Sequence, residues 1–262
     1  MTAFAAVLVC CLLLVPTKVG ASAGRRPAPR PPVALTASPA HVSLRGSGRT
    51  TVRIANVGTS AVVVDVTRAG FALDLRGRPE IVPRAPSRAA VRWLTLRPRR
   101  LALRPGQSGS LTIRSKLPAR AEPGDHDALV LMTTRPVRAK GLSVRMRIGV
   151  VVVVRAPGAI MRRLEPRSLR LRRSSRSGSV LELLLVNRGN VTELVERSQV
   201  DVSLVRQGTV IASLRPEPRE LRPRTRGVVQ LAYRGSVRGW VTARVRIVVG
   251  REALRRSFRI RL

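Results

Sequence analysis

Cysteine and aromatic residues are scarce in this chain of 262 residues, and each scarcity excludes a class of protein. The only cysteines, Cys10 and Cys11, lie in an apolar N-terminal stretch, so a chain cleaved after that stretch can form neither a disulfide framework nor a cysteine metal site. The few Trp, Tyr and Phe residues do not alternate with basic residues, as a stacking platform for single-stranded nucleic acid requires. We therefore expect no specific nucleic-acid partner and a fold held together by its aliphatic core.

Histidine is equally scarce, with only His41 and His126 in the chain. His126 stands between Asp125 and Asp127, a trio that could be a metal cluster or an acid–base group. Catalytic and zinc sites need three or more convergent groups, and His41 is the only other imidazole. We therefore interpret the trio as an exposed polar loop that enters a strand, and we predict no enzyme, no metal and no other cofactor. The sequence contains neither a glycine-rich phosphate loop nor a nucleophile elbow.

Long hydrophobic runs are absent except at the N-terminus. An apolar segment from Phe4 to Val15 is followed by a small-residue site at Ala21–Ala23, which predicts a secretory signal peptide over residues 1–23. Residues 24–32 are rich in proline and arginine and are predicted to form an extended linker. The apolar run from Ile148 to Val154 is too short to cross a bilayer. These patterns predict an exported protein, extracellular or in the cell envelope, whose mature chain has no transmembrane span.

Negative charge is also in short supply. Fifty Lys and Arg residues face 14 Asp and Glu residues, a formal net charge of +36, and lysine occurs only at Lys18, Lys116 and Lys140. A surface of this kind attracts anionic polymers through long-range, salt-sensitive forces. An arginine-rich, alanine-rich and lysine-poor composition is also what a GC-rich genome produces. Charge alone therefore leaves both a general polyanion binder and a purely compositional origin open.

What the chain does contain is the rhythm of β-strands. Short alternating segments recur about every 10 residues and are separated by proline–glycine turns, a pattern typical of β-sandwiches. Two features recur in the same order in both halves, a strand ending in Asn-x-Gly at Asn56 and Asn187, and a Leu-Arg-Pro at Leu103 and Leu221. The sequence therefore predicts an all-β protein of two immunoglobulin-like sandwich domains in tandem, over residues 33–156 and 157–262. Trp93 and Trp240 are predicted to plug the cores of these sandwiches.

The stretch from Trp93 to Thr134 carries a resemblance to a known family. Trp93 is followed by Leu-Arg-Pro-Gly-Gln-Ser and then by Leu-Pro-Ala-Arg-Ala-Glu-Pro-Gly-Asp-His before an apolar strand. This order resembles the peptidoglycan-binding domain of WxL-interacting proteins, which are bacterial cell-surface proteins with immunoglobulin-like domains. The resemblance implies a non-enzymatic envelope protein that binds peptidoglycan or another cell-wall polymer, or a surface protein.

A more distant resemblance is to periplasmic pilus-assembly chaperones, which share the sandwich architecture. In that family the last strand of the first domain carries alternating apolar side chains and donates them to a subunit. The alternating segment 142–154 would take that role here. The alternative is that this strand only closes its own sandwich, since any half-buried strand shows the same alternation.

Arginine is densest in two places, and we select candidate binding residues from both. Arginine holds phosphate or carboxylate in two-pronged fashion, which suits anionic wall polymers and peptide carboxylates. A solvated face without a dedicated partner remains the alternative. The candidate binding residues are Arg97, Arg99, Arg100 and Arg104 just after Trp93, and Arg170 and Arg172 in a second cluster.

Overall fold

The computed structural model describes residues 30–82, 85, 88–139, 142–174, 178–196 and 199–262. The predicted signal peptide and most of the predicted linker lie outside the described residues. Within them, the regular structure is all β apart from one short 3₁₀ helix, Ala90–Trp93. The strands form two sandwiches that follow one another along the chain, so the predicted fold class is confirmed.

The first sandwich begins near Val33 and is closed by the last strand before the second. Its strands are β1 (Leu35–Ser38), β2 (His41–Arg45), β3 (Gly48–Asn56), β4 (Val62–Leu73), β5 (Pro79–Val82), β6 (Leu94–Arg97), β7 (Arg100–Leu103), β8 (Ser108–Ser115), β9 (Gly124–Thr134), β10 (Val137–Ala139), β11 (Leu142–Val144) and β12 (Arg147–Ala156).

Two sheets face each other in this sandwich. One has the strand order β1-β3-β8-β6, and the other has the order β2-β12-β9-β4, with β5 and β7 both pairing to β4. Strand β2 pairs with β12 in parallel, whereas the neighbouring pairs are antiparallel. Alternation places Val52 and Ile54 of β3 fully inside and Arg53 outside, as the sequence predicted. The core between the sheets is aliphatic and takes members from Val33 to Val154.

The second sandwich is built from nine further strands. They are β13 (Leu164–Ser174), β14 (Gly178–Asn187), β15 (Glu193–Val195), β16 (Val200–Arg206), β17 (Thr209–Leu214), β18 (Arg219–Leu221), β19 (Arg226–Tyr233), β20 (Trp240–Val249) and β21 (Glu252–Arg261). One sheet has the order β13-β14-β19 and the other has β17-β16-β20-β21, while β15 and β18 form a small ladder. A separate hydrophobic core, with members from Leu164 to Leu262, fills this sandwich.

The recurring sequence features have the same physical role in both sandwiches. The side-chain amide of Asn56 donates to the carbonyl of Leu103 at 3.1 Å, and its oxygen accepts the amide of Gly58 at 3.0 Å. Asn187 does the same with Leu221 at 2.9 Å and with Gly189 at 2.8 Å. The asparagine therefore links an Asn-x-Gly turn to the distant Leu-Arg-Pro segment. Both asparagines are buried, which is possible because their amide groups form these hydrogen bonds.

Two sequence predictions need correction, one about the placement of a side chain and one about the extent of a strand. Trp93 packs against the first core, but Trp240 is 55% exposed. Trp240 begins a strand in which Val241 and Ala243 face inward, so two-residue alternation directs the indole outward. The segment 142–154 is also not one strand, because β11 ends at Val144 and β12 begins at Arg147. No helix in the described part of the chain is long and apolar enough to cross a membrane.

Candidate functional site

The first predicted arginine cluster lies where the chain crosses from one sheet to the other. Arg97 ends β6, Arg100 begins β7, and the four predicted side chains (Arg97, Arg99, Arg100 and Arg104) are all exposed. Arg100 donates to the carboxylate of Asp65 at 2.9 Å, and Arg135 contacts the same carboxylate at 3.1 Å. These two guanidinium groups lower the pKa of Asp65, Arg100 having the larger effect.

The second predicted cluster lies on a different sheet. Arg170 and Arg172 of β13 are exposed while Leu169 is buried, which is the alternation that the sequence predicted. The carboxylate of Glu182 lies 3.2 Å from Arg172 and 3.3 Å from Arg76 of the first sandwich. The fold thus places the two predicted clusters in different sandwiches, and their role in binding stays a prediction.

Polar contacts converge instead on the contact region between the two sandwiches, at the start of β9. We call this region the seam; it includes Asp125, Arg155, Asn190 and Thr192. The Asp125 side chain is 1% exposed and accepts two hydrogen bonds from Arg155, at 2.6 and 2.9 Å. It also accepts the backbone amide of Thr192 at 2.8 Å, and its own amide donates to the carbonyl of Asn190 at 2.7 Å. One carboxylate therefore joins the last strand of the first sandwich to a loop of the second.

Protonation of these buried carboxyl groups depends on the balance between burial and pairing. Burial favours a raised pKa for Asp125, but the hydrogen bonds from Arg155 and Thr192 outweigh it and hold the pKa below its usual value. Glu193, 1% exposed and 2.9 Å from Arg162, has the opposite balance, because burial raises its pKa more than Arg162 lowers it. Asp127 also has a raised pKa, chiefly through burial, although it is paired with Arg222.

Arginines of the second sandwich complete the seam. The guanidinium of Arg222 lies 3.9 Å above the ring of Phe71 in β4 and pairs with Asp127 of β9. Arg219 donates to the carbonyl of Leu75 at 2.6 Å, and burial lowers its pKa. These contacts attach the second sandwich to the outer face of the sheet that contains β9 and β12.

A cavity of about 290 Å³ lies between the two sandwiches beside these contacts. Its lining includes Val151 and Val153 of β12 beside side chains from the second sandwich. Several of the lining polar atoms are buried and have no hydrogen-bond partner among the described residues: Asp127 Oδ1, Thr192 Oγ1, Arg219 Nε and Arg222 Nε. A cavity of this size that contains several unsatisfied polar atoms can hold water or a small polar group that pairs with them.

The Asp125–His126–Asp127 trio is therefore not the exposed strand-entry loop that we predicted. All three residues belong to β9, and His126 is 3% exposed. Its ring nitrogens lie 2.6 Å from the carbonyl of Arg88 and 2.8 Å from that of Glu122, and its ring contacts Trp93. The second sandwich covers Asp125 and Asp127 on the outer face of β9, whereas His126 faces inward and is buried against Trp93. Among the described residues, no group of three or more His, Cys, Asp and Glu side chains is arranged to hold a metal ion.

Acidification is expected to weaken the seam through Asp125. Its folded pKa lies below the ordinary value of about 3.9, so its contribution to the free energy of unfolding is complete above about pH 4 and is lost as the pH falls through the folded pKa. Asp127 and Glu193 act with the opposite sign, because a raised folded pKa gives a contribution that is lost as the pH rises through that pKa.

Urea unfolding of the wild type and of Asp125→Asn between about pH 6 and pH 2 isolates the contribution of the Asp125 carboxylate. The difference between the two proteins should shrink at low pH, and a constant difference would contradict this assignment.

A second feature is the free edge of β12. Residues Val151 to Arg155 pair with β2, but no described strand pairs with Arg147 to Val150 on that side. The amide of Val151 donates to the carbonyl of Ala40 toward this edge, so two-residue alternation directs the amides and carbonyls of Arg147 and Gly149 the same way. Unpaired backbone groups of this kind are a template for another strand.

Apolar side chains accompany that free edge. Val144, Met146 and Ile148 are half-buried and pack against the first core, while the residues between them are exposed. The sulfur of Met146 lies 3.2 Å from the amide nitrogen of Leu35 in β1, the edge strand of the facing sheet. Partly exposed apolar side chains of the first core therefore lie beside the free edge.

The sequence patterns did not predict the seam. At the free edge they predicted only the alternating apolar side chains of segment 142–154. The signal for the seam was present, because charged residues at Asp125 and Asp127 directly precede the apolar run of β9. Charge within a strand buried on both faces indicates paired partners elsewhere in the fold. The pairing strands could not be identified from sequence.

Comparisons with known proteins give a structural likeness but no family. No protein-family model matches the chain, and no curated protein matches it. Solved structures that match include the class 5 fimbriae chaperone CfaA, at 12% identity over 86% of this chain and 98% of that chain with a TM-score of 0.49. The Pseudomonas aeruginosa CupB2 chaperone matches at 12% identity over 87% of this chain and 100% of that chain, with a TM-score of 0.41.

A chain in the complex of Salmonella enterica SafA pilin with the SafB chaperone matches at 13% identity, over 86% of this chain and 96% of that chain, with a TM-score of 0.46. These structures fall in the more distant of the two classes that the sequence resembles, while the resemblance to WxL-interacting proteins is not supported. At identities of 12–13% and TM-scores of 0.41–0.49, the likeness concerns the fold alone.

Proposed function

We propose that this protein is an exported, non-enzymatic envelope protein that binds an extended segment of a protein partner along the free edge of β12. The observation that carries the proposal is the pair of residues, Arg147 and Gly149, whose backbone groups point to an edge without a described strand partner. An extended peptide that adds a strand there gains main-chain hydrogen bonds. Half-buried Val144, Met146 and Ile148 supply the apolar side-chain contacts beside that edge.

The proposal includes two domains, over residues 33–156 and 157–262. Supporting this division, the members of the first core end at Val154 and those of the second begin at Leu164. In this arrangement the first domain supplies the binding strand, and the second domain holds the outer face of its sheet through Arg219 and Arg222. Binding then takes place at a strand whose outer sheet face is covered by the second domain and whose edge is free at Arg147 to Val150.

The first experiment locates the partner. A photo-crosslinking amino acid is placed at Arg147 in cells that make the protein, and in a second strain at Arg114, which is exposed on β8 between two paired neighbours. We expect one exported protein to crosslink at position 147 and not at 114. If neither position gives a crosslink and the purified protein instead sediments with purified peptidoglycan, the strand-binding proposal is wrong and the wall-polymer reading replaces it.

Substitution of the edge tests the mechanism. Arg147→Pro removes an amide that points to the free edge, and proline is tolerated in edge strands. Loss of at least one main-chain hydrogen bond and of close strand approach should weaken binding of the crosslinked partner about tenfold or more. Arg147→Ala removes the same side chain but keeps the amide, so its affinity should stay within about twofold.

Affinities of the two variants are measured by titration with the purified partner. Equal losses for Arg147→Pro and Arg147→Ala would show that the arginine side chain is recognised and not the strand edge. Met146→Ser provides an independent check, because it makes the apolar row polar without touching the amides that point to the edge. It should also weaken binding.

A further inference from the structure

The outer face of the sheet β17-β16-β20-β21 carries a dense basic patch that neither the proposed function nor the predicted arginine clusters use. In antiparallel strands, residues that are directly opposite share one face. The register places Arg246 opposite Arg255, Arg244 opposite Ser257, Thr242 opposite Arg259 and Trp240 opposite Arg261. We call this set the basic face; its members are exposed: Trp240, Thr242, Arg244, Arg246, Arg255, Ser257, Arg259 and Arg261.

Charge on this face is poorly neutralised. No acidic side chain of the described residues forms an ion pair with any of its five arginines. The register places Asp201 of β16 opposite Arg246. It is the one acidic residue on this outer face of the sheet among the residues that the structure describes. Like charges that are directly opposite, such as Arg246 and Arg255, destabilise a strand pair, and an external anion relieves that repulsion.

Exposed apolar side chains lie at one end of the same face. Trp240 is 55% exposed, and the guanidinium of Arg259 lies 4.9 Å from its ring centroid. Val210 of β17 is 54% exposed and lies in the row that contains Thr242. Tryptophan combines an apolar body with a polar edge, which favours the boundary between lipid headgroups and acyl chains.

We propose that the basic face docks on a bilayer of anionic phospholipid. Four successive rows of the register, each about 7 Å from the next, spread the arginines over a length of about 20 Å. Such a surface can contact several headgroups at once, while Trp240 and Val210 enter the interface at one end. A linear polyanion would use the arginines but would leave these apolar side chains in water. Docking would hold an exported protein at a membrane without a membrane-spanning helix.

The test uses the full mature chain and vesicles of defined composition. Vesicles of phosphatidylglycerol and phosphatidylcholine are compared with vesicles of phosphatidylcholine alone, by sedimentation and by fluorescence of Trp240 in a Trp93→Phe background. We expect binding only to the anionic vesicles, a steep loss with salt, and a shift of Trp240 emission to shorter wavelength.

Matched charge reversals decide whether the face is specific. Arg246→Glu with Arg255→Glu should reduce the affinity for anionic vesicles at least about tenfold, since basic residues near the surface supply the attraction. The control, Arg49→Glu with Arg114→Glu, reverses two exposed arginines that the register likewise places directly opposite each other on the first sandwich. It changes the net charge equally and should reduce affinity less than about threefold. Arg244→Gln with Arg259→Gln should also weaken binding, and it covers the case in which the first variant does not fold.

Two results would overturn the proposal. Equal losses for the two charge reversals would mean that total charge, and not this face, attracts the vesicles. Unchanged Trp240 emission on vesicle binding, together with equally tight binding of soluble polyphosphate, would assign the arginines to a linear polyanion. Both results are independent of the partner crosslink at Arg147.

Discussion

Replacing Asp125 by alanine should lower the free energy of unfolding by about 3 kcal/mol, because breaking a buried ion pair leaves its partners uncompensated. The substitution removes two hydrogen bonds from Arg155 and one from the amide of Thr192. The expected loss lies at the low end for buried pairs, since the Arg155 side chain is 37% exposed and can regain water. The loss is measured by urea unfolding at neutral pH.

Tryptophan fluorescence shows which sandwich is affected. Trp93 lies in the first sandwich and Trp240 in the second, so single-tryptophan variants follow each one separately. In the wild type we expect the two transitions to coincide, and in Asp125→Ala we expect them to separate. The control is Asp65→Ala, which breaks two exposed pairs, with Arg100 and Arg135, and should lower the free energy of unfolding much less than Asp125→Ala does. If Asp125→Ala costs no more than Asp65→Ala, the seam is not held by this carboxylate.

Replacing Gly124 by alanine should be at least as damaging, with an expected loss of about 3 kcal/mol or more. The residue has a φ of +115°, which an L side chain rarely adopts. A Cβ at this position would lie 2.1 Å from the carbonyl oxygen of Asn190. That oxygen accepts the amide of Asp125, so relief of the clash requires the two sandwiches to move apart at this hydrogen bond.

Gly106→Ala is the matched control for this substitution. Gly106 also has a positive φ, +76°, but a Cβ there meets nothing within 4 Å. Its expected cost is about 1 kcal/mol, from backbone conformation alone. The difference between the two variants in urea unfolding therefore measures the close approach across the seam. Equal costs would show that only the backbone dihedral matters at Gly124.

The seam and the free edge are parts of the same sheet, which links stability to the proposed binding. Strand β9 begins at Gly124 and carries Asp125, and it pairs with β12 along the whole of β12. Loosening the start of β9 would remove the support of the strand that we propose as the binding edge. We therefore expect Asp125→Ala to weaken partner binding as well, although it lies outside the edge.

Local patterns along the chain correctly predicted several strands and turns of this protein. Alternation of Val52 and Ile54 with Arg53 is a property of three neighbouring residues, and it correctly predicted which face of β3 is buried. Asn-x-Gly at Asn56 and at Asn187 predicted a repeated unit, because a side-chain amide and a turn can be read within a few residues. The fold class follows from such local patterns, and the structure agrees with it.

Contacts between distant segments explain why some polar residues of this chain are buried. Asp125 is polar and follows a proline–glycine turn, so a local pattern predicts a loop, yet the second sandwich covers it and Arg155 neutralises it. Trp240 is large and apolar and was predicted to lie in a core, yet the alternation of β20 with Val241 and Ala243 turns it outward, a local signal that the prediction missed. Burial between two sandwiches depends on contacts between segments far apart in the chain, and no local pattern contains that information.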